Sequence, residues 1–253
     1  MEIQGKKAII VGGASGMARS AADRLAGAGA DVAILDLESS AGAEVAAEIG
    51  GTFLACDGTD HAGMATVIDE AVAILGGLHI CINTAGGGAA IRTLTKEGPH
   101  PLEEFQRVID LNLIASFNIC RLAAAHMAEN EPEDDERGVL ITTASIAAFE
   151  GQIGQVAYTA AKAGIAGMAL TMARDLGSLG IRAVAVAPSL FATGLTAGIP
   201  EEFEKSLTKD AAFPKRMGRP DEYGKLAIAI VENPMLNGGC IRLDAGQRFS
   251  PKL

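Results

Sequence analysis

The stretch Lys7-Ala8-Ile9-Ile10-Val11-Gly12-Gly13-Ala14-Ser15-Gly16-Met17 decides how the rest of the chain is read. Lys7–Val11 is short, apolar and β-rich, and reads as a buried strand. A glycine-rich turn follows directly, then a helix pattern from Arg19 to about Ala28. Strand, glycine turn and helix start, in that order, give the glycines a chemical meaning. The backbone can turn tightly and approach a pyrophosphate, and the helix N-terminus offers it free N–H groups and partial positive charge. Gly12 and Gly16 are the positions expected to permit this, with Ser15 and Met17 lining the turn.

The strands that follow extend the pattern. Asp31–Leu35 reads as a second strand ending at Asp36. An acid about twenty residues after the glycines is placed to bind the ribose hydroxyls of an adenosine. Its charge repels a 2′-phosphate, and no Arg or Lys stands in the turn or just after Asp36, so NAD is expected rather than NADP. Ala41–Ile49 reads as a short helix, and Thr52–Ala55 as a third strand ending in Cys56-Asp57-Gly58. Asp57 either accepts a bond from an adenine amino group or caps a helix beginning near Ala62. His61 reads as a surface residue. His79–Asn83 is a fourth strand, followed by Thr84-Ala85-Gly86, small residues that let a ligand come close. Gly86–Pro101 reads as a mobile loop over a pocket mouth. Arg92 and Lys96 in it face an anionic substrate tail or solvent. Pro101–Met127 reads as one long helix with Leu102, Phe105, Val108, Ile109, Leu113 and Phe117 as its apolar stripe. Asn112 is mildly unfavourable inside it and either anchors a water reaching Lys162 or is exposed. Glu129–Arg137 reads as an acidic surface loop without chemistry.

Gly138–Ala144 is another apolar, β-rich run, and an Ala-rich helix pattern extends to about Leu176. Ser145 therefore falls just past the carboxyl end of a strand, where open α/β sheets place their ligand crevice. Tyr158 and Lys162 are four apart and share one helical face. A free phenol titrates near pKa ~10, and a neighbouring ammonium favours the phenolate. Tyr158 can then take a proton from an alcohol or give one to a carbonyl, while Ser145 holds the same oxygen. Ile181–Ala187 reads as a strand. The segment Pro188-Ser189-Leu190-Phe191-Ala192-Thr193 after it is placed to hold a nicotinamide carboxamide. Gly194–Met217, with a short helix near Glu201–Leu207, reads as a lid over the substrate. Asp221–Glu232 is a helix and Cys240–Leu243 a last strand. The alternation predicts a parallel sheet with helices on both faces.

Composition bounds the rest. The 253 residues suit one α/β domain over 1–253, and 49% are apolar. A net charge of −10 gives no electrostatic case for nucleic acid or an anionic membrane surface. Trp is absent and only two Tyr occur, so Tyr158 is not background. Cys56, Cys81, Cys120 and Cys240 are far apart in sequence, which predicts reduced core thiols and no metal site. The start has no signal-peptide character and no run looks long enough to span a bilayer, so a soluble cytoplasmic protein is expected.

Gly12-x-x-x-Gly16, Asp36, Asp57, Asn83-Thr84-Ala85-Gly86, Asn112, Ser145, Tyr158-x-x-x-Lys162 and Pro188 through Thr193 together resemble the short-chain dehydrogenase/reductase family over essentially the whole chain. Val11, Ala18 and Ser189 stand where that family usually has Thr, Gly and Gly. The resemblance implies a single Rossmann-type, doubly wound domain with a parallel sheet of about seven strands. It implies NAD held by Gly12, Ser15, Gly16, Met17, Asp36, Asp57, Gly58, Asn83 to Gly86, Tyr158, Lys162, Pro188, Phe191 and Thr193. Ser145, Tyr158, Lys162 and Asn112 become the catalytic set, and Ser145, Gln155 and Tyr158 the substrate contacts. Within the family, Phe105–Asn112, Ala147–Gln152, Glu232–Gly238 and Ile241–Asp244 resemble the branch of type 2 3-hydroxyacyl-CoA dehydrogenases. That implies NAD-dependent conversion of 3-hydroxyacyl-CoA to 3-oxoacyl-CoA in fatty acid metabolism, by a homotetramer. The alternatives are a dehydrogenase of hydroxysteroids or small secondary alcohols, and a non-catalytic NAD-binding scaffold subunit.

Overall fold

A computed structural model of the chain describes residues 1–193 and 200–251. Seven strands form one parallel sheet in the order β3-β2-β1-β4-β5-β6-β7. They are β1 (Lys7–Val11), β2 (Asp31–Asp36), β3 (Thr52–Ala55), β4 (Ile80–Asn83), β5 (Gly138–Thr143), β6 (Ile181–Pro188) and β7 (Cys240–Leu243). Every residue of β5 and β6 is buried, as expected for strands covered on both faces. The two-residue side-chain period sends Ile10, Ile34 and Ile82 to one face and Ile9, Leu35 and Cys81 to the other.

Helices cover both faces. On the first lie α1 (Gly16–Gly27), α2 (Gly42–Ile49) and α8 (Pro220–Glu232), which bury Ala18, Ala22, Leu25, Val45 and Ile230. The approach of α1 and α8 is close: a Cβ on Gly224 would lie 2.6 Å from the Ser20 hydroxyl. On the other face lie α3 (Gly63–Leu75), α5 (Ala115–Ala128) and α6 (Val156–Leu176), which bury Ile68, Ile119 and Met172. A shorter α4 (Leu102–Ile109) precedes α5, and α7 (Glu201–Leu207) precedes α8.

Four expectations are corrected. The helix over Pro101–Met127 is not uniform: Asp110–Ile114 forms a π turn between α4 and α5, with Asn112 at its centre. Asn112 is fully buried, whereas Leu102 and Phe117 of the expected apolar stripe are exposed. The 27-residue run Leu102–Ala128 is also long and apolar enough to span a bilayer by length and composition, but half of its most apolar window is buried inside the protein. Of the four free cysteines, Cys81 and Cys120 are in the core while Cys56 and Cys240 are only half-buried. The expected lid falls partly on 194–199, outside the described residues.

The amino-terminal end of the sheet carries a polar network. Arg182, the second residue of β6, is buried, and its Nε donates to Glu136 Oε1 at 2.7 Å. Its Nη1 donates to the Ile230 and Leu236 carbonyls at 2.7 and 2.9 Å, and its Nη2 to the Val231 carbonyl at 2.9 Å. These are carbonyls at and just beyond the end of α8, where helices leave acceptors unmet.

Candidate active site

The strand order reverses between β1 and β4, and parallel sheets open a crevice outside the carboxyl ends of the strands at such a point. A cleft of about 800 Å³ lies there, large enough for a dinucleotide. It is lined by Gly12, Ser15, Gly16, Met17, Asp36, Asp57, Gly58, Thr84, Ala85, Gly86, Ser145, Tyr158, Lys162, Pro188 and Thr193.

The glycine turn has the form that a phosphate cradle requires. Gly12 has φ +78°, and a Cβ there would stand 3.0 Å from both the Ala85 nitrogen and the Thr84 hydroxyl. Gly16 has φ +56° and faces the Thr193 side chain at a similar distance. A side chain at either position is strained and obstructed. Ser15, the N-cap of α1, makes no side-chain cap bond, so no side chain competes for the first-turn N–H groups. Asp36 Oδ2 accepts from the Ala14 N–H at 2.9 Å and Oδ1 from the Leu37 N–H at 2.8 Å. Two backbone donors thus fix the carboxylate, and lone pairs remain for a diol. The residues present fit a dinucleotide.

Ser145 follows β5 and caps a short 3₁₀ turn by accepting the Ala147 N–H at 3.1 Å. Tyr158 and Lys162 stand one turn apart on α6, and the Lys162 Nζ lies 5.5 Å from the centre of the Tyr158 ring. That ammonium is buried and donates to the Thr143 carbonyl at 2.8 Å. Burial pushes Lys162 down to about 8. Burial also raises the Tyr158 phenol above its ordinary value, while a hydrogen bond with Ser145 opposes that rise. The expected lowering of Tyr158 by Lys162 is therefore corrected: desolvation wins, and the opposing pull comes from Ser145.

Other expected residues sit elsewhere. Asn83 does not line the cleft. It is buried behind it, donating to the Ser116 hydroxyl and accepting the Ala85 N–H, both at 3.0 Å. Asn112 also stands behind the wall. Its Oδ1 accepts the Gly87 N–H at 3.1 Å, and its Nδ2 donates to the Gly87 and Val108 carbonyls at 2.7 and 2.8 Å. Those bonds clamp the Gly87 peptide, and a Cβ on Gly86 would lie 2.5 Å from the Asn112 Oδ1 and 3.2 Å from the Lys162 Nζ, so the two side chains flank the same glycine. Phe191 turns into the core and packs over Gly218. Gln155 accepts from the Gln152 N–H at 3.0 Å and does not line the cleft. Asp57 caps no helix: its Oδ1 takes the Thr59 N–H and hydroxyl, and Asp60 takes the N–H of Gly63. The Thr59 bonds hold Asp57 below the usual carboxylate range. His61 is half-buried, with its Nδ1 fully enclosed and lacking a hydrogen-bond partner.

Sequence reasoning missed Leu37, Cys56, Thr59, Arg107, Leu111 and Thr143, which also line the cleft. Arg107 and Leu111 were detectable as an i, i+4 pair on a helix that already had Asn112 in view. Among the described residues, no group of three or more His, Cys, Asp or Glu is arranged to hold a metal ion.

Comparison with known proteins gives a consistent result. The family model for short chain dehydrogenases matches residues 6–204. A Drosophila melanogaster protein named 3-hydroxyacyl-CoA dehydrogenase type-2 is 45% identical over 98% of this chain and 100% of its own. The crystal structure of 3-hydroxyacyl-CoA dehydrogenase type-2 from Mycobacterium avium superposes with a TM-score of 0.94 at 40% identity, covering 98% of both chains. A 7α-hydroxysteroid dehydrogenase complexed with NADH and 7-oxo glycochenodeoxycholic acid superposes with a TM-score of 0.87 at 28% identity, covering 99% of this chain and 97% of its own.

Proposed function

The chain belongs to the short-chain dehydrogenase family of oxidoreductases, and from that premise we propose that it interconverts 3-hydroxyacyl-CoA and 3-oxoacyl-CoA with NAD. The observation that carries the chemistry is the convergence of Ser145, Tyr158 and Lys162 on one wall of a cleft whose other end is the glycine turn and Asp36. When bound, the nicotinamide supplies the hydride acceptor or donor. The chain's own groups manage the proton. Tyr158 takes the hydroxyl proton during oxidation and returns it during reduction. Its raised phenol keeps that proton at neutral pH, so it serves reduction as an acid there and oxidation more readily at alkaline pH. Ser145 holds the substrate oxygen and stabilises the phenolate through its hydrogen bond. Lys162, anchored on the Thr143 carbonyl, presents its remaining donors to the cleft.

Asp36 supports NAD over NADP, since a fixed carboxylate at the end of β2 opposes a 2′-phosphate. The acyl-CoA substrate is supported by the likeness to the type-2 proteins along almost the full chain. The hydroxysteroid relative supports a second reading, in which a steroid ketone is the substrate. Steady-state reduction of acetoacetyl-CoA, a 7-oxo bile acid and a simple ketone, each with NADH and NADPH, separates them. A preference for a ketone without CoA, or for NADPH, overturns the corresponding part of this reading. Exposed Ile114, Phe117 and Leu170 on the long helices support assembly into a homotetramer, which light scattering measures.

A further inference from the structure

Arg107 carries an assignment beyond these roles. Among the described residues lining the cleft, Arg107 and Lys162 are the two with cationic side chains. Lys162 is buried and committed to the Thr143 carbonyl. Arg107 is half-exposed and held only by Glu104, whose Oε2 accepts from Nε at 3.0 Å and Nη2 at 2.8 Å. An exposed pair of this kind is worth little and is easily exchanged.

The placement of Arg107 is fixed from below. A Cβ on Gly58 would touch the Ala115 side chain at 4.0 Å, so the helix over 102–128 rests against the turn after β3 at Ala115. Leu111, one turn nearer the start of that helix, lines the cleft, and Arg107 lines it one turn further on. The turn Asp57–Thr59, locked by two bonds from Thr59 to Asp57 Oδ1, and Leu37 from the end of β2 line the same cleft. Two leucines, a fixed acid and a planar cation in one cleft lining suit a purine ring. Leu37 and Asp57 bring the ends of β2 and β3 to that lining.

Resting on the NAD reading above, we propose that Arg107 is a cofactor-binding residue that exchanges Glu104 for the adenine ring, its guanidinium packing on the base. A planar cation over an aromatic face contributes modestly at a half-exposed site.

Fluorescence titration with NADH and with reduced nicotinamide mononucleotide, which lacks the adenosine half, tests it. Arg107→Ala weakens NADH about fivefold and leaves the mononucleotide within about twofold of wild type. Arg107→Lys fails to restore NADH binding, because the charge returns without the plane. Unchanged NADH affinity in Arg107→Ala, equal weakening of both probes, or full rescue by Lys overturns the assignment. Glu104→Ala gives an independent arm: removing the competing carboxylate tightens NADH in the wild-type background and not beside Arg107→Ala. The same change in both backgrounds overturns the proposal. A wild-type chain that binds no NADH sinks the cofactor reading as well.

Discussion

The two ends of the sheet each bury a cation, and they treat it in opposite ways. At the amino end Arg182 has a carboxylate partner in Glu136 and donates to carbonyls at and beyond the end of α8. At the carboxyl end Lys162 has no carboxylate partner among the described residues: its one acceptor there is the Thr143 carbonyl, and burial pushes it down to about 8. The first cation is satisfied by the fold. The second is left with donors to spare beside Tyr158, which is where perturbed groups mark function.

That contrast is best broken at Tyr158 and Lys162. Tyr158→Phe is expected to lower turnover of secondary alcohols by about 10²- to 10⁴-fold while the fold and cofactor binding persist, measured by steady-state kinetics beside circular dichroism. Next comes an exchange made at both ends. Arg182→Met strands the Ile230 and Leu236 carbonyls and leaves Glu136 paired with the amino-terminal ammonium of Met1 alone, and should cost about 3 kcal/mol in urea unfolding. Lys162→Met should abolish activity with no such loss, because it removes a burial cost of roughly 3 kcal/mol and strands only one carbonyl. The sign is testable. Lys162 is pushed by burial down to about 8 in the folded chain, and its ordinary value in the unfolded chain is 10.5. The unfolded state therefore binds more protons between those limits, and raising pH through that window stabilises wild type relative to Lys162→Met. If Lys162→Met loses as much stability as Arg182→Met, the distinction between the two ends is wrong.

Smaller effects sharpen it. Asp36→Asn should raise the KM for NAD about tenfold and narrow the preference over NADP, since it removes a charged acceptor fixed by two backbone donors. Ser145→Ala should move the alkaline limb of the oxidation profile to higher pH. The Ser145 bond is what pulls the Tyr158 phenol down against burial, so its loss lets the phenol rise further. A limb that moves to lower pH would contradict this.

The strands were legible because a parallel sheet buries both faces and writes continuous apolar runs; Thr52–Ala55 and Lys7–Val11 match to the residue. Glycines were legible where backbone approach leaves no alternative, as at Gly12. Side-chain direction was not legible. Phe191 lies in a segment that borders the cleft but points inward, and Asn83 sits at a strand end but turns behind the wall. The π turn around Asn112 has no periodic signature over five residues. The Tyr158 shift was misjudged because four-residue spacing tells of proximity and says nothing of desolvation. Arg182 did leave a trace, a lone charge in the apolar run Ile181-Arg182-Ala183-Val184, which asks for buried partners.

The strand order has a consequence for how the protein is made. The glycine turn, Asp36 and Asp57 at one end of the cleft follow the first three strands, and Ser145, Tyr158 and Lys162 at the other follow β5 or lie on α6. The wall between them is β4, and the Thr84 N–H just past its end pairs with the Val11 carbonyl. A chain leaving the ribosome therefore has the first wall of the cleft once about a third of it has emerged, and the reacting set only well past half. Dinucleotide binding then stitches early and late segments together, and at a hundredfold excess over its dissociation constant it adds about 2.7 kcal/mol to the finished fold.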